Sequence, residues 1–158
     1  MRLPPSALAL AIALASALIL AAAYVMQANG MYPCELCLRQ REAYWIAIPF
    51  AIAAALVPRW KGTPRLLASI LMAVAAAALL YGAGRAFQHV GVVAHWWASA
   101  CSAGGHLSID DAMNGKGAPL IACDSAPKFF GITLPIYNLL ATLGLGGVAI
   151  LGALRLWK

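Results

Sequence analysis

Four long apolar stretches dominate the chain: Ala7–Met26, Leu38–Val57, Leu66–Phe87 and Leu134–Leu156. A helix rises about 1.5 Å per residue and the hydrocarbon core of a bilayer is roughly 30 Å thick, so about 20 mainly apolar residues make one crossing. Runs of this length leave a soluble fold little room. With 63% of its residues hydrophobic and only 10% charged, the chain lies well outside the composition of soluble domains. The expected fold is an all-α membrane protein, an antiparallel four-helix transmembrane bundle. It forms a single integral domain over residues 1–158, with a short outer loop at 27–37 and a long periplasmic loop at 88–133 between the third and fourth helices. No repeat, low-complexity tract or linker marks a second domain.

The second stretch is the most polar, because Arg39, Arg41 and Glu42 occupy its first turns and must lie at the interface. Pro58 ends it. The fourth opens with Thr133 as an N-cap and Pro135 in the first turn, where a missing N–H costs little. Its Gly144, Gly146, Gly147 and Gly152, like the alanines of the third, are small residues that let helix backbones approach closely.

Basic residues set the orientation. With both termini and the turn Pro58–Pro64 in the cytoplasm, that side carries Arg2, Arg59, Lys61, Arg65, Arg155 and Lys158 and no acid. The other side carries Arg39, Arg41, Arg85, Lys116 and Lys128 against Glu35, Glu42, Asp110, Asp111 and Asp124, so the net charge of +6 lies inside, as the positive-inside rule expects. The basic balance therefore reflects topology and gives no support to nucleic-acid binding. A cleaved signal peptide ending near Ala21-Ala22-Ala23 is the alternative for the first stretch. The run is long for that, and cleavage would remove the anchor of the first cysteine pair.

All four cysteines fall on the outer side, which is oxidising in a bacterial-type cell, so disulfides form and persist there. A disulfide between Cys34 and Cys37 closes a very small ring and makes a poor staple. Redox turnover is the better account. Pro33 precedes the pair, and Cys37 falls in the first helical turn, where unpaired N–H groups and the macrodipole favour a thiolate. Arg41, one turn further on the same face, is placed to stabilise that thiolate and to polarise an electron acceptor. Arg39 points elsewhere and reads as an interfacial arginine, as does Arg85.

Cys101 and Cys123 enclose a larger loop that reads as a short surface helix from Ser108 to Gly115. A purely structural bridge there would contribute about 3 kcal/mol. The glycines at 104, 105, 115 and 117 suggest instead a segment that moves to reach both a partner and the first pair. No metal site is expected, since zinc would want two close pairs, and covalent haem would want histidine where Leu38 stands. His89, His95 and His106 are scattered, and Trp96 and Trp97 read as part of an aromatic belt.

Together these features resemble the DsbB family of membrane disulfide-generating proteins. The resemblance spans the chain. It rests on four apolar runs, on Cys34-Glu-Leu-Cys37-Leu-Arg-Gln-Arg41 opening the second, on a cysteine pair between the third and fourth, and on the run Cys123 to Asn138 leading into the fourth. Vitamin-K-epoxide-reductase-like proteins place the two pairs in the reverse order. The resemblance implies that Cys34 and Cys37 pass electrons to a membrane quinone, ubiquinone or menaquinone, with Cys37 next to it and Arg41 holding it. It also implies that Cys101 and Cys123 oxidise a thioredoxin-fold partner resembling DsbA, with Cys101 forming the mixed disulfide and Cys123 linking to Cys34. The implied location is the bacterial inner membrane. The stretch from Arg85 to Trp97 matches the family less clearly, and His89 is given no catalytic role. The competing functions are a tetraspan protein with purely structural disulfides and a conduit working in the reducing direction.

Overall fold

The computed structural model describes residues 4–59, 65–98, 122–124 and 126–157. Within them the chain forms α1 (Pro5–Ala28), α2 (Glu35–Leu56), a 3-10 turn (Val57–Arg59), α3 (Arg65–Val93), a two-residue antiparallel hairpin β1 (Lys128–Phe129) and β2 (Ile132–Thr133), and α4 (Leu134–Trp157). Local chemistry sets the boundaries. Pro5 opens α1, where its missing N–H is no loss. Asn29 closes it by donating from Nδ2 to the Val25 carbonyl at 2.8 Å, and Gly30 turns the chain with φ +87°. The hairpin ahead of α4 was not expected from the sequence.

One expectation needs correction. The third helix does not end at Phe87 but continues to Val93, so residues 88–93, assigned to the outer loop, are helical. The four stretches also differ in apolar character, as the charges of the second lead one to expect. α1, α3 and α4 are long and apolar enough to cross a membrane; α2 has the length, with 22 residues, but Arg39, Arg41 and Glu42 interrupt its apolar character. The predicted surface helix at Ser108–Gly115 lies outside the described residues.

The helices pack as an antiparallel bundle. Along α3 and α4, Ser69 donates to the Ala153 carbonyl at 2.9 Å, and Met72 meets Gly152, Leu79 and Leu80 meet Gly146, and Gly82 meets Thr142. Rising numbers on one helix meet falling numbers on the other. The same holds for α2 and α3, where Ala43 faces Gly82 and Gln40 faces His89, and for α1 and α4, where Leu8 meets Gly152 at one end and Met26 and Leu134 line one cavity at the other.

Small residues permit this closeness. Ala43, Ala47, Ala51 and Ala55 recur every fourth residue on the buried side of α2, and the last three share one core cluster with Ala68, Met72, Ala75 and Leu79 of α3. The α4 glycines divide in two. Gly146 and Gly152 lie against Leu80, Leu8 and Met72, whereas Gly144 and Gly147 have open space beside them, so only the first two serve close approach. This antiparallel order brings the end of α1, the start of α2, the end of α3 and the start of α4 together at one end of the bundle.

Candidate active site

Cys34 is the N-cap of α2: its backbone is extended and its sulfur accepts the Cys37 N–H at 3.2 Å. A serine or aspartate oxygen usually fills this role. Here the capping atom is itself the redox atom, and Cys37 falls in the first turn as its spacing predicts. Both thiols are free. The hydrogen bond from the Cys34 thiol holds the Cys37 sulfur down to about 7, the neighbouring backbone and the Arg41 charge acting in the same sense and burial opposing them. The same hydrogen bond, reinforced by burial, pushes Cys34 above the ordinary thiol range. Cys37 is therefore the member of the pair that ionises first, and Cys34 the one that keeps its proton longer. Both precede the charged residues 39–42 at the mouth of α2.

Arg41 reaches back to α1. Nη1 donates to Gln27 Oε1 at 2.6 Å and Nη2 to the Ala23 carbonyl at 3.3 Å, while the guanidinium carbon sits 4.9 Å from the centroid of the Tyr24 ring. Cys37 and Arg41 both line a cavity of about 420 Å³ between α1, α2, α4, His89 of α3 and the segments before α2 and α4, with Leu20, Met26 and Pro135 among its apolar walls and Gln40, Tyr44 and Asn138 among its polar ones. Arg39 pairs with Glu35 at 3.2 Å in solvent. Arg85 lies over the Tyr81 ring and donates to Tyr81 Oη and Gln88 Oε1, away from the cavity.

Cys123 is disulfide-bonded and 1% exposed, and it packs with Cys34, Leu36 and Val92 in one small cluster. Cys101 lies outside the described residues. The structure thus brings Cys34, Cys37, Arg41 and Cys123 to the same end of the bundle.

Sequence reasoning missed His89. Because α3 continues past Phe87, His89 is fully buried in it, with Nε2 3.6 Å from Cys34 Sγ and 3.1 Å from the Cys123 carbonyl oxygen, and Nδ1 2.9 Å from Gln40 Nε2. Ligand atoms of Cys34, Cys37 and His89 lie within 4.8 Å of one another. A metal there would need a lone pair on Nε2, but the carbonyl it faces needs a hydrogen on that nitrogen. The trio reads better as a hydrogen-bonded thiol site.

The family model for the disulfide bond formation protein DsbB matches residues 5–152. The chain belongs to the DsbB family. No curated protein and no solved structure matches it. The match runs from the start of α1 to near the end of α4, so it takes in both cysteine pairs together with the bundle. DsbB membership makes the chain a membrane protein of disulfide bond formation and assigns it thiol oxidoreductase chemistry in general terms.

Proposed function

We propose that the protein reoxidises a periplasmic thioredoxin-fold oxidase resembling DsbA and delivers the electrons to ubiquinone or menaquinone. It would work as a single domain in a bacterial inner membrane, with all four helices crossing, both termini cytoplasmic and the cysteines facing the periplasm. The observation that carries this reading is the shared cavity: the thiolate-prone Cys37 and the guanidinium of Arg41 lie on the wall of one largely apolar space of about 420 Å³. That volume falls in the range of small-molecule sites, and an apolar ring bearing carbonyl oxygens matches a mainly apolar wall that carries the Arg41 guanidinium and the polar groups of Gln40, Tyr44, His89, Tyr137 and Asn138. A bound quinone supplies a two-electron acceptor that takes two protons.

The chain's own residues do the rest. The Cys101/Cys123 disulfide accepts the partner's thiolate, which forms a mixed disulfide on Cys101 and releases Cys123 as a thiolate. Cys123 then attacks Cys34 of an oxidised Cys34/Cys37 pair. The Cys34–Cys123 bond forms, the Cys34–Cys37 bond breaks, and the electron pair leaves on Cys37. Cys37 is the better leaving sulfur because its thiolate is the stabilised one, and a leaving thiol of lower pKa departs faster. Packing of Cys123 beside Cys34 supports this pairing. The deciding experiment is quinone reduction by the purified protein supplied with the reduced periplasmic oxidase. Static disulfides, or electron flow toward the partner, would overturn the reading.

A further inference from the structure

A polar chain crosses the apolar interior of the bundle beside the cysteines. Tyr44 Oη donates to Asn138 Oδ1, Asn138 Nδ2 to Gln40 Oε1 at 2.6 Å, Gln40 Nε2 meets His89 Nδ1 at 2.9 Å, and His89 Nε2 faces the Cys123 carbonyl at 3.1 Å and the Cys34 sulfur at 3.6 Å. One atom fixes the direction of the whole chain. A carbonyl oxygen only accepts, so Nε2 carries the hydrogen. Nδ1 then offers a lone pair to the Gln40 amide, Gln40 Oε1 accepts from the Asn138 amide, and Asn138 Oδ1 accepts the hydrogen bond of the Tyr44 hydroxyl. Polar side chains drawn from three helices into an apolar interior cost stability unless all are satisfied, and they mark function where they persist.

Resting on the Cys34–Cys123 disulfide of the reading above, we propose that Gln40, Asn138 and Tyr44 are positioning residues for His89. They lock the imidazole in the tautomer whose Nε2–H lies between the Cys34 sulfur and the Cys123 carbonyl, so that Cys34 departs as a hydrogen-bonded thiolate when that disulfide is resolved. In the step served, a thiolate, Cys101 in turnover, attacks the Cys123 sulfur. The new bond forms on Cys123, the Cys34–Cys123 bond breaks, and the electron pair passes to Cys34, with no proton transferred. Help is needed at this sulfur because the released charge lies beside Cys37. The Cys37 N–H and His89 Nε2 both face Cys34 Sγ, at 3.2 and 3.6 Å.

The test uses the full chain carrying Cys37→Ser and Cys101→Ser, oxidised to the Cys34–Cys123 disulfide, without quinone or partner. Reduction by glutathione is followed by thiol alkylation on gels, and the adduct is located by mass spectrometry. With Gln40→Met, which keeps the volume but removes both hydrogen bonds, reduction should slow on the order of tenfold, the worth of one hydrogen bond to a charged atom. Gln40→Glu should recover most of the rate, because its two oxygens accept from Asn138 and from an Nδ1–H, and the imidazole keeps its Nε2–H. A purely structural role predicts the opposite order: the buried carboxylate would be the more disruptive, and loosening would speed reduction. Unchanged or faster reduction in Gln40→Met, glutamate no better than methionine, or a glutathione adduct on Cys34 would each overturn the proposal. Failure of the parent to form Cys34–Cys123 would instead remove the inter-loop reading beneath it, and the proposal with it.

Discussion

Replacing Arg41 by methionine separates its two expected effects. The guanidinium spends one N–H on Gln27 Oε1 at 2.6 Å and one on the Ala23 carbonyl at 3.3 Å, which leaves three of its five donors for a carbonyl oxygen in the cavity. A charge-assisted hydrogen bond to an acceptor there is worth about 1.5–3 kcal/mol, so the quinone KM should rise by roughly 10- to 100-fold. The effect on Cys37 should be smaller. Its sulfur is held at about 7 first by the Cys34 hydrogen bond, and Arg41 ranks below that contact and below the Cys34 backbone. Because the folded pKa is depressed, the thiolate dominates above about 7 and is lost as pH falls through that value; the stability it contributes is fully present above the ordinary thiol pKa and disappears over the same descent. Arg41→Met should move the window upward by less than Cys34→Ala does. Quinone titration of turnover reads the first effect, and the pH dependence of Cys37 alkylation reads the second. A KM within twofold of the parent would refute the assignment of Arg41 to the acceptor. Arg41→Lys should keep part of the function, since a point charge serves either Gln27 or the acceptor but lacks the planar fork.

Cys123→Ser should accumulate a mixed disulfide between Cys101 and a periplasmic thioredoxin-fold protein, formed by attack of the free Cys101 on the oxidised partner and persisting for want of a resolving thiol; non-reducing gels without any Cys101-dependent adduct would sink the division of labour between the pairs. Gly82→Ala places a Cβ 2.7 Å from that of Ala43, where α2 and α3 meet, and should cost about 1–3 kcal/mol, read as a lower Tm in detergent; an unchanged Tm would mean that the helices are not so close. Ser16→Ala should raise Tm by the equivalent of about 1 kcal/mol, because the serine hydroxyl is buried in α1 without a partner among the described residues, and a lower Tm would show that it has one.

What the sequence revealed and what it hid follow from the range of each interaction. The apolar stretches, the first-turn place of Cys37 and the phase of Arg41 are properties of one helix, and a spacing of three or four residues is enough to state them. His89 is hidden in the sequence because the apolar run ends at Phe87 while the helix that carries it does not. α3 in fact runs to Val93, and the extra turns carry the histidine beneath the cysteines. A local signal for the network nevertheless existed. Gln40 and Tyr44 on α2, and Asn138 and Thr142 on α4, are polar pairs one turn apart in helices whose other buried positions are almost all apolar. In a bilayer-spanning segment such residues are functional candidates by default. What single-helix reasoning could not supply was their register. Gln40 meets His89 because α2 and α3 run antiparallel with Ala43 against Gly82 one turn away. The cysteine chemistry is thus written locally at the N-terminus of α2, while its hydrogen-bond support depends on the close approach of α2, α3 and α4 that small residues at their contacts allow.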